Sequence, residues 1–267
     1  MTLPIAAVQM ISGPDVGPNL ATAARLIAQA AGSGAQLVAL PEYFPLIGAT
    51  DADRLAARET EGAGPIQDFL AEQAQRHGIW LVGGSLPLTA DDPAKLRNTC
   101  FVFDPAGNRA VRYDKIHLFG FTKGAESYNE SATIEAGGRP VAFDTPWGRV
   151  GLGICYDLRV PELFRALSGM DLLVLPAAFT ETTGRAHWEL LLRARAVENQ
   201  CYVLASAQGG LHPNGRMTHG NSMVIDPWGE VLVRMDKGEG VVAAELDPAR
   251  IAEVRSSLPA LKHRIIR

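Results

Sequence analysis

The sequence has few cysteines and none of the spacings that are typical of a metal site or a disulfide framework. Three cysteines, Cys100, Cys155 and Cys201, occur in 267 residues, and so small and odd a number argues against stabilisation by disulfides. No Cys-x-x-Cys pair is present, and the six histidines show no His-x-x-x-His spacing. The sequence therefore predicts no structural zinc site.

Long apolar runs and clusters of basic residues are also lacking. The sequence has no apolar run of about 18 residues and no positive charge ahead of an apolar segment at its start, so neither a membrane span nor a secretory signal is predicted. The 25 basic and 29 acidic residues give a net charge of −4 without a Lys/Arg block, which provides no electrostatic surface for nucleic acid. We expect a cytoplasmic protein that binds neither membranes nor nucleic acid.

Apolar residues make up 47% of the chain, which is enough to bury a large core. No linker or shift in composition divides the sequence, so residues 1–267 are predicted to form a single α/β domain. Apolar runs at Pro4–Met10 and Gln36–Leu40 flank a helical pattern over Leu20–Ala31. Asn19 is the predicted N-cap of that helix. This strand–helix–strand unit favours parallel pairing of its two strands.

Later segments add many short strand patterns and a few helices. Turn sequences at Pro105–Asn108 and Pro146–Gly148 indicate hairpins, and a helical pattern covers His187–Asn199. The predicted strands are too many for one comfortable twisted sheet. Two sheets packed face to face, with helices outside, would bury all of the apolar faces.

Two of the candidate reactive side chains directly follow a predicted strand. Glu42 ends the segment Leu-Val-Ala-Leu-Pro-Glu, where a partly buried carboxylate can act as a general base. Lys115 follows a strand of alternating character, where an ammonium can lower the pKa of a thiol and later donate to an oxyanion. Taken alone, each residue fits a simpler role better, Glu42 as a loop acid that caps a neighbouring amide and Lys115 as a surface lysine. His117 is expected to be packed or hydrogen-bonded.

Cys155 is the third candidate, and it lies between a glycine-containing strand and Pro161, which suits the first turn of a helix. A thiol on a turn between a strand and a helix can lie near backbone N–H groups that bind an oxyanion. The alternative is a small buried hydrophobic residue, as free cysteines usually are. Cys100 and Cys201 fit that alternative better, because each lies in or beside an apolar strand.

These three segments, in this order, resemble the Glu–Lys–Cys triad of the nitrilase superfamily of carbon–nitrogen hydrolases. The resemblance runs from Ala6-Ala-Val-Gln-Met to Pro227-Trp-Gly, and its most specific parts are Cys155-Tyr-Asp-Leu-Arg and Ala186-His-Trp-Glu. It implies a four-layer α-β-β-α sandwich and a homodimer or higher homo-oligomer that assembles through helices beside the nucleophile. It also implies that the enzyme uses no metal and no organic cofactor.

The resemblance also implies a role for each of these residues. Cys155 would attack the amide carbon, and Glu42 would take the thiol proton, pass it to the leaving amine and later activate water. Lys115 and the backbone N–H of Tyr156 would stabilise the tetrahedral oxyanion. Glu130, in Tyr-Asn-Glu-Ser, matches a second active-site glutamate and would support the triad.

Within the superfamily, the sequence is most similar to the small amidases that hydrolyse deaminated glutathione, and next to the ω-amidases. The pattern Ala207-Gln-Gly-Gly-Leu-His212 favours the first group, although Arg185 stands where those relatives usually have proline. Both candidate substrates carry carboxylates, so a cationic site is expected. Arg185 and Arg216 are candidates by location, and a solvated loop position is equally compatible with each. Arg159 is expected to brace the loop around Cys155.

Three other functions remain open at this point. A non-catalytic binding protein on this fold would be favoured by the loss of a triad member, yet all three are present. A Cys–His hydrolase would need His117 or His187 within hydrogen-bonding reach of the thiol. An N-carbamoyl hydrolase or a true nitrilase would use the same chemistry, but the segments after Cys155 resemble the small amidases.

Chelation and thiol alkylation should have opposite effects on this protein. Because the sequence lacks a cluster of metal ligands, EDTA should leave the hydrolytic rate unchanged. Because the predicted nucleophile is a thiol, iodoacetamide should inactivate the protein. Both effects are measured as release of ammonia or amine from an amide substrate. Loss of activity on chelation that a divalent ion restores would contradict this prediction.

Overall fold

The structure is a computed structural model that describes residues 2–124 and 126–266. Six α-helices are present in these residues: α1 (Val16–Gly32), α2 (Asp51–Ala56), α3 (Pro65–His77), α4 (Pro161–Ala166), α5 (Glu181–Asn199) and α6 (Pro248–Ser257). Two 3₁₀ turns, Glu130–Ala132 and Cys155–Arg159, are also present. In this part of the chain, no helix combines the length and the apolar character that crossing a bilayer requires.

Fifteen strands form three sheets in the described residues. The strands are β1 (Leu3–Gln9), β2 (Leu37–Ala39), β3 (Trp80–Val82), β4 (Leu86–Thr89), β5 (Leu96–Phe103), β6 (Arg109–Asp114), β7 (Gly120–Lys123), β8 (Glu126–Asn129), β9 (Ala142–Thr145), β10 (Gly148–Leu152), β11 (Leu172–Ala177), β12 (Tyr202–Ala207), β13 (Met223–Ile225), β14 (Val231–Arg234) and β15 (Gly240–Leu246).

The first large sheet has seven strands in the order β15-β1-β2-β3-β5-β4, and β6 pairs with the other edge of β5. The second has six strands in the order β14-β13-β12-β11-β10-β9, and β7 and β8 form a separate hairpin. Strands β1 and β2 pair in parallel, as the strand–helix–strand pattern predicts. The hairpins β5–β6 and β9–β10 were also predicted correctly.

The two large sheets pack against each other and are covered by helices, which gives the α-β-β-α order of layers. Alternation along β1 shows this clearly, because Leu3, Ile5 and Ala7 belong to the core cluster that joins the two sheets. Ala6 and Val8 point to the opposite face, where they pack in the cluster formed with α1 and α3. Helices α4 and α5 cover the outer face of the second sheet. The prediction of a four-layer sandwich is therefore confirmed.

Two local predictions were wrong. Helix α1 begins at Val16, and Asn19 lies inside it, where its amide bonds Gly13 and Pro45 of neighbouring loops instead of capping the helix. Helix α5 begins at Glu181, six residues before the predicted start. Thr180 caps it, and Gly184 stands where a Cβ would meet the side chain of His219.

Several short elements were not predicted from the sequence at all. These are α2, β4, β7 and β8. Each spans only four to six residues. So short a segment contains too few periods of an apolar pattern to distinguish a helix or strand from a loop. Two of them, α2 and β8, contribute residues to the cavities described below.

Candidate active site

The three predicted reactive residues lie at the ends of strands from both large sheets. Glu42 follows β2 and Lys115 follows β6, both in the first sheet, whereas Cys155 follows β10 in the second. All three side chains are buried, with exposures of 1%, 1% and 7%. The packing of the two sheets therefore brings together residues that are more than 100 positions apart in the sequence.

The ammonium group of Lys115 lies between two carboxylates. Its Nζ is 2.8 Å from Oε1 of Glu42 and 2.8 Å from Oε2 of Glu130. Glu130 thus lies in the same cluster as the predicted triad. An unpaired buried charge would be costly, and the second carboxylate completes the ion-pair network around the ammonium.

Neutral side chains and backbone groups orient both carboxylates. The amide of Asn98 donates to Glu42 Oε1 at 2.9 Å, and the amide of Gln208 donates to the Glu42 carbonyl at 3.1 Å. Tyr43 donates its hydroxyl proton to Glu130 Oε1, and the backbone N–H of Phe119 donates to Oε2, each at 2.7 Å. Sequence reasoning missed Asn98, Gln208 and Tyr43 as part of the site. The only signal was the presence of polar residues in otherwise apolar, buried segments.

Cys155 lies on a strained turn, as expected for a residue between a strand and a helix. Its φ is 49°, in the left-handed region that non-glycine residues seldom adopt. Tyr43, directly after Glu42, has a φ of 55°. Strain of this kind persists only where surrounding contacts hold it, and it concentrates at functional sites. The N–H of Tyr156 lies in the first turn of the 3₁₀ segment, where helical N–H groups lack an intrahelical acceptor.

The buried carboxylate of Asp157 holds the Cys155 turn in place. It accepts hydrogen bonds from the backbone N–H of Ile154 at 2.8 Å, the hydroxyl of Tyr113 at 2.7 Å and the backbone N–H of His117 at 2.9 Å. Nδ1 of His117 is also 2.7 Å from this carboxylate. His117 is therefore hydrogen-bonded, as predicted.

Removing the Asp157 carboxylate should destabilise the protein. In Asp157→Ala, several buried donors would lose their acceptor. Each donor left without a hydrogen bond lowers the stability of the folded state by roughly 1–3 kcal/mol. We expect the free energy of unfolding to fall by about 3 kcal/mol or more, measured by urea denaturation. The control is Asp144→Ala, because the Asp144 side chain is 78% exposed and its pair with Arg149 should contribute at most about 1 kcal/mol. Equal effects of the two substitutions would contradict the role assigned to Asp157.

Burial and neighbouring charges raise the pKa of the Cys155 thiol. Burial is the main cause, Glu42 adds to it, and Lys115 opposes it without reversing the shift. The expected effect of Lys115, a lowering of the thiol pKa, is present, but burial and Glu42 outweigh it. The resting sulfur is a protonated thiol, so attack on a substrate requires a base.

The same cluster keeps Lys115 charged. Burial alone would lower the pKa of its ammonium, but Glu130 and Glu42 outweigh burial and raise it well above the usual value. Burial would likewise raise the pKa of the Glu130 carboxyl, and Lys115 outweighs it and lowers that pKa. Because both effects favour charged forms, the site holds a fixed ammonium flanked by carboxylates.

Cys155 opens into a small cavity of about 270 Å³. The lining combines acids, arginines, aromatic rings and threonines: Glu42, Phe119, Glu130, Cys155, Tyr156, Arg159, Ala178, Phe179, Thr180, Thr183 and Arg216. Among the described residues, neither His117 nor His187 contributes to this lining. This geometry disfavours a Cys–His mechanism. In the described ranges, no three His, Cys, Asp or Glu side chains are grouped closely enough to hold a metal ion.

The arginines differ in their relation to the cavity. Arg159 lines it and also braces its wall, because its guanidinium carbon is 5.2 Å from the ring centre of Phe179 and 5.6 Å from that of Tyr156. Arg216 also lines the cavity, whereas Arg185 is exposed on α5. The bracing role of Arg159 was predicted from the sequence, but its place in the cavity lining was not. Of the two arginines predicted as candidates for binding a carboxylate, Arg216 lies in the cavity lining and Arg185 does not.

Comparison with known proteins identifies the family. The carbon-nitrogen hydrolase family matches residues 4–256. The chain belongs to this family. The hydrolase is therefore an enzyme that acts on carbon–nitrogen bonds other than peptide bonds, as the sequence resemblance implied.

Individual relatives of the hydrolase cover almost its whole length. A deaminated glutathione amidase from Synechocystis sp. is 43% identical over 266 residues, which cover 97% of each chain. Omega-amidase NIT2-A from Xenopus laevis is 41% identical over 269 residues, covering 96% of the hydrolase and 93% of the relative. The crystal structure of Saccharomyces cerevisiae Nit3, a member of branch 10 of the nitrilase superfamily, aligns with a TM-score of 0.89 and 33% identity, covering 99% of the hydrolase and 97% of Nit3.

Proposed function

We propose that the protein is a cysteine-dependent amidase in which Glu42, Lys115 and Cys155 perform the reaction and Glu130 supports it. The observation that carries this proposal is the Lys115 ammonium, held 2.8 Å from both Glu42 and Glu130 beside a cavity lined by Cys155. The arrangement combines a nucleophile, a carboxylate base and a fixed positive charge in one buried place.

The reaction has two halves that share Glu42 as proton carrier. First, the Cys155 sulfur attacks the amide carbon while Glu42 accepts the thiol proton, which suits a sulfur whose pKa is raised by burial. Glu42 then donates that proton to the amide nitrogen, and the carbon–nitrogen bond breaks to release the amine and leave a thioester. In the second half, Glu42 accepts a proton from water, which attacks the thioester. The carbon–sulfur bond then breaks, the acid is released, and Glu42 returns the proton to the sulfur, which restores both the thiol and the base.

Lys115 and the backbone N–H of Tyr156 stabilise the negative oxygen of each tetrahedral intermediate. A preorganised donor of this kind does not need to reorient as charge develops, which makes it effective in a buried site. Glu130, bonded by Tyr43 and Phe119, keeps the ammonium in place when Glu42 becomes protonated. Glu130 therefore acts through Lys115.

The proposed substrate is deaminated glutathione, which would be cleaved to 2-oxoglutarate and cysteinylglycine. The name of the Synechocystis relative supports this choice, together with the Ala207-Gln-Gly-Gly-Leu-His212 segment. Two groups of the cavity lining match the chemistry of a small 2-oxo acid, because Arg159 provides a cation for a carboxylate and Phe179 provides an apolar wall.

The alternative substrate is 2-oxoglutaramate, as the name of the Xenopus laevis relative suggests. Hydrolysis of this substrate releases ammonia, so it differs from deaminated glutathione in the leaving group, whereas the acyl group is the same. We expect a higher kcat/KM for deaminated glutathione when both are assayed side by side. A clear preference for 2-oxoglutaramate would assign an ω-amidase function, and no hydrolysis of either compound would contradict both assignments.

We also propose that the protein is a cytoplasmic homodimer or higher homo-oligomer. Helix α5 exposes Leu190 and Val197, at 66% and 48%, and their spacing of seven residues places both on one face, which a second subunit would cover. The three cysteines are unpaired, as is usual in a reducing compartment. We expect sedimentation to give at least twice the monomer mass, and Leu190→Asp to lower it, whereas a monomeric wild type would contradict the proposal.

A further inference from the structure

A second and larger cavity adjoins the one that contains Cys155. Its volume is about 770 Å³, and it lies between the residues around α2 and the β7–β8 hairpin. The lining is Tyr43, Leu46, Ile47, Gly48, Ala49, Thr50, Asp51, Arg54, Tyr128, Asn214 and Arg216. None of these residues has a role in the chemistry proposed above except Tyr43, which bonds Glu130.

The two cavities share a wall. Arg216 lines both of them. Tyr43, in the second cavity, donates its hydroxyl to Glu130 of the first, and the ring centre of Tyr128 lies 5.3 Å from that of Phe119. A substrate bound at Cys155 and extending past Arg216 would therefore enter the second cavity.

Arg54 and Arg216 give the second cavity two cationic groups that aromatic rings hold in place. The guanidinium carbon of Arg54 is 5.0 Å from the ring centre of Tyr43, and that of Arg216 is 5.4 Å from the ring centre of Tyr128. The side chain of Arg54 is only 17% exposed. Stacking of this kind fixes the plane of the guanidinium and so orients its donors.

Both arginines have capacity for a further acceptor. Arg216 donates from Nη2 to the carbonyl of Ala178 at 3.0 Å, but within the described residues its buried Nε has no hydrogen-bond partner. Arg54 forms an ion pair with Asp51, whose side chain is 51% exposed. This pair shows that a carboxylate fits against Arg54, and the solvated Asp51 can yield its place to a ligand at little cost.

We propose that the second cavity is a leaving-group subsite, in which Arg54 and Arg216 bind the terminal carboxylate of a dipeptide whose amide bond is cleaved at Cys155. This inference rests on the proposed function, because cysteinylglycine is a leaving group of this class. A free α-carboxylate presents two oxygens to the guanidinium fork. Ammonia has no carboxylate and would not bind in the subsite. The same contacts therefore favour amides of dipeptides over primary amides as substrates.

The test uses Arg54, because Arg216 lines both cavities and its loss would also disturb the acyl side. Loss of the hydrogen bonds to a charged group weakens binding about 10- to 100-fold. We expect Arg54→Gln to raise KM for deaminated glutathione about tenfold relative to its KM for 2-oxoglutaramate. The wild type should show a similar rise when the terminal carboxylate of deaminated glutathione is replaced by a carboxamide, and Arg54→Gln should add little to that rise.

Two controls separate the subsite from a general effect on folding. Arg54→Lys keeps the charge but lacks the planar fork, so it should restore only part of the lost affinity. Arg76→Gln removes an exposed arginine from α3, whose side chain is 58% exposed, and should leave the KM ratio of the wild type unchanged. Thermal unfolding of each variant checks that the protein is folded.

Direct binding of cysteinylglycine, measured by calorimetry, tests the subsite without depending on turnover. Binding to the wild type that weakens about tenfold in Arg54→Gln supports the proposal, even if deaminated glutathione is not hydrolysed and the proposed substrate is therefore wrong. Absence of binding to the wild type, or equal binding to both proteins, overturns it. Hydrolysis of deaminated glutathione with the same KM in Arg54→Gln also overturns the subsite and leaves the proposed function standing.

Discussion

Replacing Cys155 with alanine is expected to abolish amide hydrolysis, with a loss of kcat on the order of 10⁶. Without the sulfur no thioester can form, and the remaining carboxylates and ammonium have no nucleophile to act on. The measurement is the steady-state rate of amine release by the purified variant. Its thermal unfolding should remain cooperative, because alanine occupies less space at this position than cysteine.

Cys100→Ala and Cys201→Ala serve as matched controls. Both cysteines are fully buried, and burial raises the pKa of each thiol. Neither lines the cavity among the described residues. We expect each control to retain most of the wild-type kcat, with a modest loss of stability from the small cavity that is created. A Cys155→Ala protein that retains turnover would overturn the mechanism.

Replacing Lys115 with alanine is expected to reduce both activity and stability. The oxyanion loses a preorganised donor, which should lower kcat by at least 10² to 10³. Glu42 and Glu130 lose the charge between them, and breaking a buried pair in this way costs about 3–5 kcal/mol. The two effects are measured by steady-state kinetics and by urea denaturation. Lys262→Ala, at an exposed position, should change neither quantity.

The stability defect of Lys115→Ala should depend on pH in a defined direction. In the wild type the pKa of Glu130 is lowered, so its contribution is present above the unfolded pKa, about 4.3 for a glutamate, and is lost as pH falls through the folded value. In the variant the charge and the hydrogen bond of Lys115 are lost, and the hydrogen bonds from Tyr43 and Phe119 alone oppose burial, which is the largest single influence on this pKa. The pKa of the Glu130 carboxyl should therefore rise, so that its charged form destabilises the folded state relative to the wild type. The difference between the two proteins should shrink as pH falls from 8 towards 5. A defect that does not change with pH would contradict the proposed charge network.

Part of the site could be predicted from the sequence. The residues that were predicted have a sequence motif, and those that were missed have none. Glu42, Lys115 and Cys155 each lie just beyond a strand, which made them candidates, and the family resemblance selected these three and added Glu130. Asn98 and Tyr43 bond the two carboxylates and Gln208 bonds the backbone carbonyl of Glu42, but no local pattern distinguishes these three from other buried polar residues. The same reason applies to Asn19, whose sequence context indicates a cap although its amide bonds two loops.

The sequence by itself determined the α/β class, the expectation of two sheets that bury their apolar faces against each other, and the candidate nucleophile. These features depend on apolar periodicity and turn residues, which act over a few neighbouring positions. Only the tertiary structure decided which side chains share the site. The two sheets come from different parts of the chain, and their packing brings Cys155, which follows a strand of the second sheet, to the cavity that Glu42 and Glu130 also line. Packing also decided the sign of the shift in the Cys155 pKa, because burial depends on the whole fold and outweighs the nearby ammonium. The second cavity has the same origin, since α2, the β7–β8 hairpin and the loop containing Arg216 meet only in the folded chain.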